Sequence, residues 1–122
     1  MISIKKTLKA LASHAVVDSG TTSAGYTWYK YADGLAEVYG TGLISASLGT
    51  ASSKIILPFD MINVNFTVIT SLNQNGSVVT IFGEYDINGN KNRTTNSFNI
   101  CASKTGGNYP IGFDFHVIGR WK

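Results

Sequence analysis

Tyr26-Thr27-Trp28-Tyr29-Lys30-Tyr31 and Leu35-Ala36-Glu37-Val38-Tyr39-Gly40-Thr41 flank Ala32-Asp33-Gly34. Aromatic and β-branched side chains suit the pleated, half-buried surface of a strand, and Asp-Gly between two such runs marks a hairpin. With Asp33 and Gly34 as a two-residue type I′ loop, Tyr31 pairs with Ala36, Lys30 with Glu37, Tyr29 with Val38 and Trp28 with Tyr39. That register joins opposite charges and two aromatic rings across the strands. It also puts Tyr29, Tyr31, Ala36 and Val38 on one face, which reads as core. Tyr26, Trp28, Lys30, Glu37 and Tyr39 fall on the other, aromatic yet charged, which suits solvent, a subunit interface or a ligand platform.

Beyond the hairpin, further strands are expected near 53–57, 64–71, 77–86, 95–102 and 113–121, each bounded by Gly, Asn, Ser or Pro. Phe113, Phe115 and Val117 alternate with Asp114, His116 and Ile118, as do Val64, Phe66 and Val68 with Asn65, Thr67 and Ile69. Many short strands at close spacing predict an all-β chain, an antiparallel β-sandwich of jelly-roll-like form. One helix is expected, over 3–14, where Ile4, Leu8, Leu11 and Ala15 make an apolar stripe and Ser3 offers a cap. Three turns are marginal alone in water. The stripe therefore needs a partner, either the sandwich or copies of itself. Asp18 to Gly25 reads as a connector of turn-forming residues. The expected division is residues 1–19 for helix and connector, serving oligomerisation or attachment, and 20–122 for the sandwich.

At 122 residues and 13.1 kDa the chain has room for one domain. Charged residues are 14%, against about 25% on average. Gly, Asn, Ser and Thr together make 47 of the 122 residues, so the surface is polar without being charged. No apolar run approaches the ~18–20 residues of a membrane helix, and no membrane insertion is expected. The net charge of +3 owes much to Lys5, Lys6 and Lys9 at the N-terminus. The rest of the chain is near neutral and has no basic stripe, which argues against a nucleic-acid partner. The single Cys101 excludes an intrachain disulfide and a cysteine-based zinc site.

Catalytic chemistry needs clustered acids, bases or nucleophiles, and five Asp, two Glu, two His and one Cys are scattered through this chain. Asp33 and Glu37 serve the turn and the Lys30 pairing more readily than glycoside hydrolysis. His14 and His116 read as structural, and Cys101 as a buried thiol. Asp86-Ile87-Asn88-Gly89-Asn90-Lys91-Asn92 echoes a calcium loop, but its Gly is at position 4 instead of 6 and Ser97 replaces the bidentate Glu at position 12. A turn around Asn88-Gly89 is expected instead. No cofactor, metal or catalytic residue is assigned. The remaining candidates are for a neutral, hydroxyl-rich ligand: Trp28, Tyr39, Asn88, Asn90, Arg93 and Tyr109, which offer stacking rings and adaptable polar groups.

Three stretches in order, Trp28-Tyr29-Lys30-Tyr31-Ala32-Asp33-Gly34-Leu35-Ala36-Glu37-Val38-Tyr39-Gly40, Ile56-Leu57-Pro58-Phe59 and Phe115-His116-Val117-Ile118-Gly119-Arg120-Trp121, resemble the C-terminal domains of bacteriophage tail-fibre proteins over roughly residues 20–121. The resemblance implies a β-sandwich tip that trimerises at the end of a fibre in the virion and contacts the bacterial surface, often through a glycan, without a cofactor or catalytic centre. Ile4, Leu8 and Leu11 would then tie the homotrimer together or attach it to other virion proteins. The alternatives are a structural virion protein, a head fibre or tail adaptor without receptor binding, and, third, a polysaccharide depolymerase with carboxylates assembled between subunits.

Overall fold

The computed structural model describes residues 14–44, 49–73, 78–107 and 110–122. Its strands are β1 (Val16–Thr21), β2 (Thr27–Tyr31), β3 (Leu35–Ile44), β4 (Gly49–Ile56), β5 (Thr67–Leu72), β6 (Val78–Gly83), β7 (Ser97–Gly106) and β8 (Ile111–Arg120). They form a five-stranded sheet in the order β1-β2-β3-β8-β5 and a three-stranded sheet in the order β4-β7-β6, with every pairing antiparallel. The chain is a β-sandwich, as its alternating strands predict. The expected helix, with Ile4, Leu8 and Leu11, lies outside the described residues except at its end. There His14 sits in a turn and Ala15 leads into β1, so neither continues a helix. Part of the expected connector, Asp18 to Thr21, is strand β1, paired along the edge of β2.

The core is the alternation made solid. Ala36, Val38, Phe113, Phe115 and Val117 from the larger sheet meet Ile55, Phe98, Ile100 and Ala102 from the smaller one. Opposite Phe113 and Phe115, β3 carries Gly42 and Gly40. A Cβ on Gly40 would stand 2.5 Å from Tyr26 Cδ1 and 2.6 Å from Phe115 Cζ. The missing side chains are where the rings lie. In the smaller sheet β7 is central and buried on both faces, because the segment after β6 folds over its outer side, where Asn99 Nδ2 donates to the Asn92 carbonyl at 3.5 Å.

The hairpin forms, but one residue out of the expected register. Trp28 pairs with Val38, Tyr29 with Glu37 and Lys30 with Ala36. The loop is the three residues Ala32, Asp33 and Gly34, closed by Gly34 N–H to Tyr31 O at 3.0 Å. Only Gly34 among them has positive φ, at 95°, whereas a type I′ turn requires it at both central residues. The Asp33 carboxylate accepts from Leu35 N–H at 3.1 Å and fixes the turn. A one-residue slip exchanges faces. Trp28 and Lys30 therefore join Ala36 and Val38 inside, while Tyr29, Tyr31, Glu37 and Tyr39 line the outer face. Lys30 does not oppose Glu37, and Trp28 and Tyr39 do not share a face.

The two ends of the sandwich differ. At one, here called proximal, Ala32 N–H bonds to Ala15 O, Trp121 N–H to Gly34 O, Ile62 N–H to Arg120 O and Leu57 N–H to Asn96 O. His14, the first described residue, and Lys122 both lie at this end. The distal end holds the 22–25 turn, the end of β3, the start of β4, and Asn73, whose N–H bonds to Gly112 O.

Candidate functional site

Two side-chain clusters grow from the hairpin. On the inner side, the Lys30 ammonium stands 4.6 Å from the centre of the Phe59 ring, 5.1 Å from Trp121 and 5.7 Å from Trp28. Each contact of this kind contributes roughly 0.5–2 kcal/mol as the cation loses water. Trp28 packs edge-on against Phe59 with centroids 5.4 Å apart and covers Gly20, where a Cβ would meet its ring at 2.8 Å. Trp121 donates from Nε1 to Tyr31 O at 3.0 Å. Trp28, expected as a ligand contact, is part of this half-buried proximal cage.

On the outer face, the Tyr31 hydroxyl donates to Glu37 Oε2 at 2.7 Å, and His116 Nε2 lies 3.3 Å from Glu37 Oε1 without the geometry of a hydrogen bond. Tyr39 stacks on His116 with centroids 4.1 Å apart and meets Tyr29 edge-on at 6.5 Å. Desolvation pushes the Glu37 pKa up, but hydrogen bonds from Tyr31 and Tyr39 and the nearby His116 outweigh it, so the carboxyl titrates below its usual range. Its counterpart Tyr31 is raised to about 12, first by the bond to Glu37 and then by burial. His14 stacks on Tyr31 at 4.3 Å and its Nδ1 is 2.8 Å from Asp33 Oδ2. That bond, with the Leu35 amide, lowers the Asp33 pKa. Asp33 and Glu37 are each held by neighbouring groups, Asp33 by His14 and the Leu35 amide and Glu37 by Tyr31.

The segment after β6 accounts for three more candidates. Asp86 Oδ1 accepts from the N–H groups of Asn88 and Asn90, each at 2.9 Å, and Gly89 turns the chain at φ 83°. The expected turn at Asn88-Gly89 is present, and Asn88 and Asn90 are exposed on it. Arg93 is a staple instead of a free contact. Its Nε and Nη2 grip Glu84 at 2.6 and 2.7 Å, its Nη1 donates to the carbonyls of Val64 and Phe66, and its guanidinium covers the Phe66 ring at 4.5 Å. The bond to Glu84 raises its pKa further. Tyr109 lies outside the described residues. Cys101 is buried, 5% exposed, and burial, aided by Asp86, pushes its thiol pKa up. Among the described residues no cluster of three His, Cys, Asp or Glu could hold a metal. The structure therefore separates the candidates: Trp28 and Arg93 are internal ties, Tyr39 lies on the outer sheet face, and Asn88 and Asn90 lie on a loop.

The solved structures that this two-sheet sandwich matches are tail fibres. The N-truncated R1-type pyocin tail fibre matches with a TM-score of 0.60 and 15% identity over 98% of this chain and 98% of that one. The N-truncated R2-type fibre matches at 0.51 and 13%, over 98% of this chain and 44% of that one. A C-terminal piece of the P. aeruginosa R1 pyocin fibre matches at 0.52 and 12%, over 98% and 32%. At such identity the likeness is one of fold, and it is the fold that the three sequence stretches resemble. No protein-family model matches the sequence, and no curated protein does.

Proposed function

We propose that the chain is a non-enzymatic, trimeric tail-fibre tip domain of a phage or phage-tail-like particle and that it recognises the bacterial surface through a glycan. The observation that carries this reading is the match along 98% of both chains to an R1-type pyocin tail-fibre fragment. The uncharged polar surface suits a hydroxyl-rich receptor, and the apolar stripe of Ile4, Leu8 and Leu11 suits assembly or attachment to a particle. Ile4, Leu8 and Leu11 hold the trimer or dock it to other virion proteins.

Two measurements test this. Light scattering is expected to give a mass near three times 13.1 kDa, and Leu8→Asp, which places a charge on the apolar stripe, to give a monomer with an unchanged β-sheet spectrum. Fluorescently labelled chain is expected to bind saturably to some strains in a panel of bacteria and to release no reducing ends from their polysaccharide. A trimer that binds no strain would instead be a structural virion protein.

A further inference from the structure

We propose that the groove at the distal end, between the 22–25 turn, the end of β3 and β4, is the saccharide site of this domain and takes a neutral, hydroxyl-rich sugar. This rests on the receptor reading above and gives it a place. The groove encloses about 510 Å³, and its lining includes Tyr26, Thr41, Ser53, Lys54 and Asn73. That set combines one aromatic ring, two aliphatic hydroxyls, an amide and a single ammonium group. Sugar recognition calls for such a mixture, because a pyranose offers an apolar ring face and a rim of hydroxyls that both donate and accept.

Two of these side chains are held in place with capacity to spare. The Tyr26 ring is fixed edge-on to Phe115, centroids 5.0 Å apart, over the bare Cα of Gly40. Its backbone N–H bonds to Thr22 Oγ1 at 3.1 Å, while its hydroxyl makes no hydrogen bond among the described residues. Burial raises its pKa, so the hydroxyl remains a protonated donor. Asn73 is tethered through its N–H to Gly112 O at 3.0 Å and through Nδ2 to Asp114 Oδ1 at 2.7 Å, which leaves its amide oxygen to accept.

Charge and position narrow the ligand. Lys54 is the one charged residue of the lining, and Asp114, bonded to Asn73, sets an opposite charge beside the groove, which leaves little net charge to attract a polyanion. The second groove, about 480 Å³ between β5 and β6, also offers Tyr85, Thr70 and Lys91, but it carries the mutually satisfied Glu84 and Arg93 and lies toward the start of β5 and the end of β6, away from the distal end. The distal groove also lies at the end away from His14, the first described residue, the end that a fibre joined through its N-terminal side would present outward.

The test uses the full chain against purified neutral and acidic bacterial polysaccharides by calorimetry. Binding to a neutral polymer is expected, little changed between roughly 0.05 and 0.5 M salt because no long-range charge attraction is involved. Tyr26→Phe keeps the ring and removes the hydroxyl, and is expected to weaken binding about three- to tenfold, the value of one hydrogen bond. Asn73→Ala should do likewise, whereas Ile87→Ala, on an exposed loop outside the groove, should leave affinity unchanged. Near-UV circular dichroism checks that each variant is folded. If the wild type binds but both groove variants keep full affinity, the groove is refuted and the receptor reading stands. Binding only to acidic polymers, lost in salt, refutes the neutral class. A wild type that binds no cell and no polysaccharide overturns both readings.

Discussion

Arg93→Met is expected to be among the most damaging single changes to the fold. The side chains of Arg93 and Glu84 are only 16% and 13% exposed, and the guanidinium also serves the carbonyls of Val64 and Phe66. Breaking a buried pair by removing one partner costs roughly 3–5 kcal/mol, because the other charge is left without compensation. Residual water access at Glu84 places this case near the lower end, about 3 kcal/mol. For a domain of this size, each kcal/mol shifts the melting temperature by roughly 3–5 °C, so Arg93→Met should melt about 10 °C or more below the wild type. Glu84→Gln added to Arg93→Met should recover part of the loss, since the stranded charge is then absent. The measurement is thermal unfolding by circular dichroism of the three proteins. If Arg93→Met melts within about 2 °C of the wild type, or the double variant is worse by the sum of both changes, the staple reasoning fails. Arg93 would then be open to the ligand role that its sequence context suggests.

Other consequences are equally direct. Gly42→Val should destabilise by roughly 1–3 kcal/mol, through a clash with the Phe113 ring that forces repacking; an unchanged urea midpoint would contradict it. Ultraviolet titration should find one tyrosine, Tyr31, ionising near 12, and Glu37→Gln should bring it back toward 10. The lowered Glu37 pKa means that its contribution to stability is present above the unfolded carboxyl value and is lost as pH falls through the folded one. Stability measured below pH 5 should therefore fall with acid less steeply in Glu37→Gln than in the wild type. Cys101, buried with a raised pKa, should react with a thiol reagent only at the rate of unfolding, and rapid labelling of the native chain would show the strand to be open.

Most strands are legible in the sequence because one face of each is buried. Phe113, Phe115 and Val117 announce β8, and Ile55 with its neighbours announces β4. β1 is not, since Val16-Val17-Asp18-Ser19-Gly20-Thr21 has turn composition and is largely exposed. It is a strand because β2 offers an edge and Gly20 admits the Trp28 ring. Asp33-Gly34 correctly marks a hairpin, but two- and three-residue loops both place Gly at a left-handed position. Only the packing of Ala36 and Val38 into the core decides between them, and with it the faces of Trp28 and the tyrosines. The role of Arg93 was equally hidden, because Glu84 lies nine residues away on the same connection, and Val64 and Phe66 come from the segment before β5, 29 and 27 residues away.

The stretches that resemble tail fibres meet in space. Trp28 and Lys30 come from the first, Phe59 from the second and Trp121 from the third, and the three rings surround one ammonium group. The C-terminal stretch also closes the hairpin, with Arg120 Nη2 donating to Asp33 O at 2.8 Å, and Gly34 must lack a Cβ because one would stand 2.6 Å from Lys122 O. These residues therefore specify the proximal end as a unit, and altering one strands the others: without Lys30 the cage keeps an empty centre, and without Trp121 the hairpin loses a tie at Tyr31. At the distal end Tyr26 and Asn73 are tied to Phe115 and Asp114, whereas the side chains of Thr41, Ser53 and Lys54 make no hydrogen bond or ion pair among the described residues. Substitutions at these three positions that keep the backbone therefore change the chemistry of the groove while both the cage and the packing of Tyr26 stay in place.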